Sequence, residues 1–230
     1  MKTLGILGGL GPATTAEFYL KISYDCQKRN HVQRPPIVIT SVPTPYTVER
    51  NIILHNLNGY TPLLIAEAKR LQQADADFLA MPCNTLHCDI AHIRNAVTIP
   101  VMSIVDTTIA YIQAKGYQKI GLIATAATVE RKIYTSVFES SKIDFVLPGA
   151  DEQAGLNELI VNLVDGKYLE RDYKFLHGVI DSLKSRGVDC IALACTDLQL
   201  LKPEKQRKDI PIFDTMAVLA DAALEEILSW

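Results

Sequence analysis

The stretch DFLAMPCNTLH, Asp77 to His87, runs through four apolar residues into a proline, a cysteine and two helix-capping residues. An apolar run of strand length that does not alternate with polar residues is what a strand covered on both faces requires. The pattern returns as DCIALACTDLQ, Asp189 to Gln199, at an offset of 112 (189 − 77). Leu71 and Leu86 recur at that offset as Leu183 and Leu198. Outward from these stretches, IPVMS at Ile99 returns as IPIFD at Ile210 (offset 111), and LGIL at Leu4 returns as IGLI at Ile120 (offset 116). Matches in order at nearly one offset predict two similar halves.

Between these landmarks, strand-length apolar runs alternate with helical patterns. TLGILGG precedes ATTAEFYLKISYDCQ, PIVITSV precedes TPLLIAEAKRLQQA, and DFLAMP precedes TLHCDIAHIRNA. KIGLIAT, DFVLP, DCIALA and IPIFD continue the rhythm. The fold class is therefore α/β with parallel sheet, in two similar domains related by internal duplication.

Composition narrows the chemistry. The chain has 230 residues, 48% hydrophobic and 21% charged, with a net charge of −3. That balance gives no electrostatic footprint for nucleic acid or an anionic membrane, and a small molecule is the expected partner. The apolar start at Leu4 is broken by Gly8, Gly9, Gly11 and Pro12, too soon for a signal peptide or a membrane span. Five cysteines, an odd number without framework spacing, fit free thiols in a reducing cytoplasm.

Cys83 and Cys195 each stand where a strand ends and a helix starts. Ligands of open α/β sheets bind beyond the carboxyl ends of strands, and helix N-terminal N–H groups favour a thiolate. Both thiols are thus expected to be ionisable. With the halves facing each other they flank one cleft, where one thiolate removes a proton from carbon and the opposite thiol delivers one, inverting a stereocentre. Cys26 and Cys190 lie within apolar patterns and read as small core residues.

Two other chemistries fit less well. Cys83, His87, Cys88 and His92 have the spacing C-x3-H-C-x3-H, which matches no closed zinc motif, and His87 reads better as a polar neighbour supporting Cys83. The loop GILGGLGP has Thr14 three places after Gly11, so it lacks the G-x-G-x-x-G order, and it is without the Gly-Lys-Ser/Thr of a P-loop. It reads as a tight strand-to-helix crossing with Pro12 early in the helix.

GILGGLGPATT, MPCNTLH, LACTDLQLL and LIATAATVERKIY together resemble the aspartate/glutamate racemase family, with its GGMGP-type loop, PCNT motif and GCTE-type motif. The resemblance implies two α/β domains with the active site between them, no PLP and no metal. It also implies a C-terminal segment that returns to the first domain, giving residues 1–98 plus 208–230 as one domain and 99–207 as the other. By position, Cys83 and Cys195 match the two catalytic cysteines, Cys195 serving the L-enantiomer and Cys83 the D-enantiomer. Asn84, Thr85 and Thr196 match positions holding the substrate's amino and carboxylate groups, and Thr125 and Thr128 match a loop supplying further hydroxyls. Arg50 of PYTVERN lies near a carboxylate-binding arginine, and Lys167 is the nearest candidate for a substrate-binding lysine. Asp197 stands where the motif has Glu, and Ala194 where it has Gly.

The resemblance implies a cofactor-independent amino-acid racemase with aspartate the favoured substrate; the cysteine usage points to the cytoplasm, and a homodimer is left open. A racemase of glutamate or another amino acid, a hydantoin racemase, a maleate isomerase and a non-catalytic small-molecule binding protein are the alternative readings.

Overall fold

The computed structural model describes residues 1–45, 59–167 and 169–229. In the first half, β1 (Leu4–Gly8) leads into α1 (Pro12–Arg29), and the chain continues through β2 (Ile37–Ser41), α2 (Tyr60–Gln73), β3 (Phe78–Ala80), α3 (Ile90–Ala96), β4 (Val101–Met102) and α4 (Ile104–Lys115). The second half contains β5 (Lys119–Ala124), α5 (Ala126–Glu130), α6 (Thr135–Ser140), β6 (Asp144–Val146), α7 (Ala150–Val164) and α8 (Glu170–Ser185). It continues with β7 (Cys190–Ala194), α9 (Pro203–Gln206), β8 (Ile212–Asp214) and α10 (Thr215–Leu228). Two four-stranded sheets result, ordered β2-β1-β3-β4 and β6-β5-β7-β8, with every pairing parallel.

The repeat offsets reappear in the strand registers. Leu4 pairs with Phe78 and Ile120 with Cys190, so offsets of 116 (120 − 4) and 112 (190 − 78) carry one pairing onto the other. Leu79 with Val101 and Ile191 with Ile212 repeat the relation at 112 (191 − 79) and 111 (212 − 101). Packing repeats as well. A Cβ at Gly5 would meet Leu79, Ala76 and Leu71, and one at Gly121 would meet Ile191, Val188 and Leu183. These are the same three positions moved by 112, so each half needs a glycine in its first strand for the same close approach.

Alternate strand residues feed different cores, as period-2 geometry dictates. Leu4, Ile6, Ile120, Leu122 and Ala124 join the core between the sheets, to which α1, α4 and α10 contribute Phe18, Ile104 and Leu219. Leu7 and Leu79 face an outer core beneath α2, while Ile123 and Ile191 face one beneath α7 and α8.

The expected boundaries at 98/99 and 207/208 each fall one strand short of where a sheet ends. β4 pairs with β3 and β8 with β7, because each Ile-Pro run completes the sheet of the half that precedes it. The helix after β8 crosses over. Lys2 N–H donates to Ile227 O at 3.0 Å, Lys21 pairs with Asp221 at 2.7 Å, and Arg29 pairs with Glu225. Capping fixes where the central helices begin: Ser103 Oγ accepts from Asp106 N at the start of α4, and Asp214 accepts from Met216 N and Ala217 N at the start of α10. Among the described residues, no helix is long and apolar enough to cross a membrane.

Candidate active site

β3 and β7 are interior strands, and each runs directly into its cysteine loop. Cys83 N–H donates to Met81 O at 2.8 Å, and Cys195 is extended with φ −132° and ψ 119°. Beyond each cysteine the chain forms a short 3₁₀ turn, Thr85–Asp89 and Thr196–Leu201, and not the α-helix expected from the sequence. Both thiols are buried and line one cleft between the halves, whose empty volume with its open mouth included is about 520 Å³. Asn84, Thr85, Thr196 and Asp197 line it beside the cysteines, with Gly9 to Gly11 and Tyr60 on one wall and Thr125, Ile160 and Val164 on the other.

The expectation that both thiols favour ionisation is reversed by their burial. Burial pushes the Cys83 thiol up to about 12, and the Asp197 carboxylate adds to the rise, while the Leu86 and Thr85 N–H groups pull the other way. Cys195 is held well above the ordinary range by burial and then by Asp197, opposed by the N–H groups of Asp197 and Leu198. Desolvation of the anion outweighs two backbone donors at each site. The resting thiols are therefore neutral.

Three hydroxyls form a closed triangle where the Cys83 loop meets the start of α5. Thr85 Oγ1 lies 3.0 Å from Thr125 Oγ1 and 3.1 Å from Thr128 Oγ1, and the latter two are 2.9 Å apart. Thr125 Oγ1 also accepts from Thr128 N–H as the cap of α5. Thr85 and Thr125 line the cleft and can turn their protons into it, so an anion here would be met by an O–H donor from each half, with Thr128 behind them.

A carboxylate stands on the cleft beside Cys195. Thr14 Oγ1 donates to Asp197 Oδ1 at 3.1 Å, and Cys195 Sγ lies 3.9 Å from Asp197 Oδ2. Gly11 keeps that approach open, since a Cβ there would stand 3.3 Å from Asp197 Oδ1.

His87 supports Cys83 through the backbone. Its Nε2 accepts from Ile104 N–H at 3.0 Å, which leaves Nδ1 as the protonated nitrogen donating to Cys83 O at 2.6 Å. Burial lowers its pKa to about 4, so the ring stays neutral and ties the Cys83 loop to the start of α4. With both nitrogens engaged, His87 has none left for a metal.

The remaining sequence candidates divide. Thr196 lines the cleft beside Cys195, and Thr128 stands behind Thr125. Lys167 is exposed, with its ammonium 3.5 Å from Asp165, and the cleft wall nearby is made instead by Ile160 and Val164 of α7. Arg50 lies outside the described residues. Cys26 and Cys190 are fully buried in α1 and β7, and all five cysteines are unpaired.

Three residues that frame the site carried no site assignment in the sequence: Thr14, Tyr134 and Thr215. Tyr134 O–H donates to Asn84 Oδ1 at 2.5 Å, and Thr215 O–H reaches the same oxygen at 3.2 Å. Tyr134 belongs to the VERKIY run and Thr215 comes directly after the repeated IPIFD strand, but nothing in either context signals contact with the first cysteine motif.

Comparison with known proteins agrees with this geometry. The family model for Asp/Glu/hydantoin racemases matches residues 7–223. The broad-specificity amino-acid racemase RacX of Bacillus subtilis (strain 168) is 29% identical over 99% of this chain and 99% of its own length. A putative Asp/Glu racemase from Yersinia pestis superposes with a TM-score of 0.85 at 28% identity, covering 100% of both chains. PH1733 from Pyrococcus horikoshii OT3, an aspartate racemase homologue, superposes at 0.78 with 25% identity, again over 100% of both. A family model matched over residues 7–223, with a racemase relative aligned over 99% of both chains, identifies the chain as a member of the Asp/Glu/hydantoin racemase family and a PLP-independent isomerase.

Proposed function

We propose that the protein interconverts the L- and D-enantiomers of an α-amino acid by a two-base mechanism in which Cys83 and Cys195 act from opposite sides. The observation that carries this reading is the placement of both thiols on one cleft with their loops related by the internal repeat. One cysteine, as thiolate, takes the α-proton, and the electron pair left on carbon is delocalised into the substrate carboxylate. The opposite thiol then gives its S–H proton to the other face. Thiol and thiolate have exchanged places at the end of each turnover.

The chemical obstacle is the weak acidity of the α-carbon. Donors fixed where carboxylate charge grows lower that barrier, and the Thr85 and Thr125 hydroxyls, backed by Thr128, supply such donors. Because burial holds both thiols neutral, the reacting form must first give one thiol proton to solvent. A substrate ammonium group bound near Asp197 brings the positive charge that stabilises the thiolate. Free thiols on buried loops fit a reducing compartment, and the cytoplasm is the proposed location.

Aspartate is the proposed substrate, resting on Arg50 as partner of the distal carboxylate. A second reading, a substrate with a neutral side chain, is favoured by the apolar side chains of Leu10, Tyr60, Ile160 and Val164 in the cleft lining and fits the broad specificity of the Bacillus relative. Arg50→Ala separates them: it should cost roughly 2–4 kcal/mol of transition-state binding on aspartate and much less on alanine or serine. Wild-type activity on neutral amino acids but not on aspartate would sink the aspartate reading.

The mechanism is tested by chiral chromatography and α-proton exchange in deuterated water over an amino-acid panel. Cys83→Ser and Cys195→Ser should each abolish racemisation with the fold intact, leaving exchange on one enantiomer only. Racemisation by either variant at the wild-type rate would overturn the two-base scheme. A wild-type protein that binds amino acids without exchange would be a binding protein, and turnover of hydantoins or maleate alone would move it elsewhere in the superfamily.

A further inference from the structure

Asn84 is only 2% exposed and lines the cleft, yet its amide nitrogen finds no hydrogen-bond partner among the described residues. Its oxygen is fully engaged, by Tyr134 O–H at 2.5 Å and Thr215 O–H at 3.2 Å. A contact of 2.5 Å falls within the range of O–H···O bonds and below that of N–H···O bonds, so oxygen faces the tyrosine. Both hydroxyls are fully buried and come from outside the first half, Tyr134 from the approach to α6 and Thr215 from the first residue of α10. Thr215 also lies 3.0 Å from Leu193 O, and its single proton is shared between two acceptors, which makes Tyr134 the stronger of the two partners.

We propose that Tyr134 and Thr215 are positioning residues that hold the Asn84 amide with its NH₂ turned into the cleft, so that Asn84 serves the substrate's carboxylate and not its ammonium group. The proposal rests on the racemase reading of the site. An isolated asparagine offers either a donor or an acceptor, and the choice decides which end of an amino acid it can bind. Here the acceptor is consumed behind the cleft wall and the donor remains. The orphaned N–H groups then act with the threonine triangle on one carboxylate. That carboxylate gains charge as the α-proton leaves, so a donor locked in place before reaction stabilises the transition state more than the ground state.

Asn84→Asp is the sharpest test, because it keeps an oxygen for Tyr134 and Thr215 and exchanges the inward donor for an anionic acceptor. KM for L-aspartate and L-alanine should rise on the order of a hundredfold, with calorimetric affinity falling in parallel. Affinity equal to or tighter than wild type would mean that the amide presents its oxygen to the ammonium group, and the proposal would fail. Tyr134→Phe frees the amide to turn. It should weaken the carboxylate substrates about tenfold while narrowing the preference for L-aspartate over its α-carboxamide, a ratio that a merely structural defect would not move. Thr215→Ser should behave as wild type and Thr215→Val as a milder Tyr134→Phe. An unchanged acid-to-carboxamide ratio in folded Tyr134→Phe would also overturn the proposal, and if that variant does not fold, Asn84→Asp decides alone. Wild-type protein that binds but does not exchange would refute the racemase reading while the calorimetric comparison still decides this inference. Protein that does neither would refute both.

Discussion

Thr85 and Asp197 stand at the same place in the two halves, two residues after their cysteines, and each reaches across the cleft to the start of the first helix of the opposite half. Thr85 meets Thr125 and Thr128, and Asp197 meets Thr14. The duplicated backbone thus presents a neutral cluster of hydroxyls at one of its repeat-related contacts and a carboxylate at the other. A symmetric scaffold has acquired a polar direction, which a zwitterionic substrate can read.

That direction has a pH signature. The Asp197 charge raises both thiols, so Asp197→Asn should lower both. In wild type, kcat/KM should climb from pH 7 toward alkaline pH by up to about tenfold per unit, as one thiol ionises. In the variant the rise should begin at lower pH. If Asp197 only tethers Thr14, the profile keeps its position.

Alkylation reports the same ionisation without turnover. Iodoacetamide should react slowly with Cys83 and Cys195 at pH 7 and faster at pH 9, because only the thiolate is nucleophilic and burial holds both thiols neutral. A bound amino-acid substrate should protect them, as read by mass spectrometry of the two loop peptides. EDTA and hydroxylamine should leave activity unchanged, and loss on chelation reversed by zinc would bring the His87 and Cys88 cluster back as a ligand set.

His87 should make stability depend on pH. Its folded pKa of about 4 lies below the ordinary value of 6.5, so the unfolded chain binds more protons between those values. Stability contributed by neutral His87 is present above pH 6.5 and is lost as pH falls toward 4, by about 3 kcal/mol over the window. Asp214, raised to about 7 by burial, acts in the opposite direction over much of the same range. The measurement is therefore a difference: the denaturation midpoint of wild type minus that of His87→Gln should shrink from pH 7 to pH 4.5. A constant difference would mean that His87 is not buried neutral.

Gly9 and Gly116 separate backbone strain from collision. Both have positive φ, 85° and 72°, but a Cβ at Gly9 would meet Val42 N at 2.8 Å, whereas one at Gly116 meets nothing within 4 Å. Gly116→Ala should cost about 1 kcal/mol, and Gly9→Ala roughly 2–4 kcal/mol with distortion of the glycine loop. Equal losses in thermal unfolding would show that the Gly9 loop yields at no cost.

The duplication was legible because parallel strands buried on both faces need unbroken apolar runs, and a tight turn into a cysteine loop leaves a fixed spacing. The offsets found between Leu4 and Ile120 and between Asp77 and Asp189 are those of the strand registers. The boundaries were less legible, since Ile99 and Ile210 open runs that look alike whether they begin one half or end another; only hydrogen bonding to β3 and β7 decides. Ionisation was misread because a sequence displays the N–H groups of a turn but not the desolvation around Cys83. Tyr134 and Thr215 went unseen as site residues for a related reason: their hydroxyls act on a first-half side chain across a fold boundary that no local pattern spans.

The return of α10 to α1 has a consequence for biosynthesis. A nascent chain with its first sheet complete at Met102 still exposes the side of α1 bearing Phe18 and Ile22, because the helix that covers it begins only at Thr215. Domain-by-domain folding on the ribosome cannot finish the first half before the second has been made. Thr215, which braces Asn84, arrives with that last helix. A product truncated before α10 should be sticky and inactive, so synthesis of α10 and assembly of the cleft become a single event.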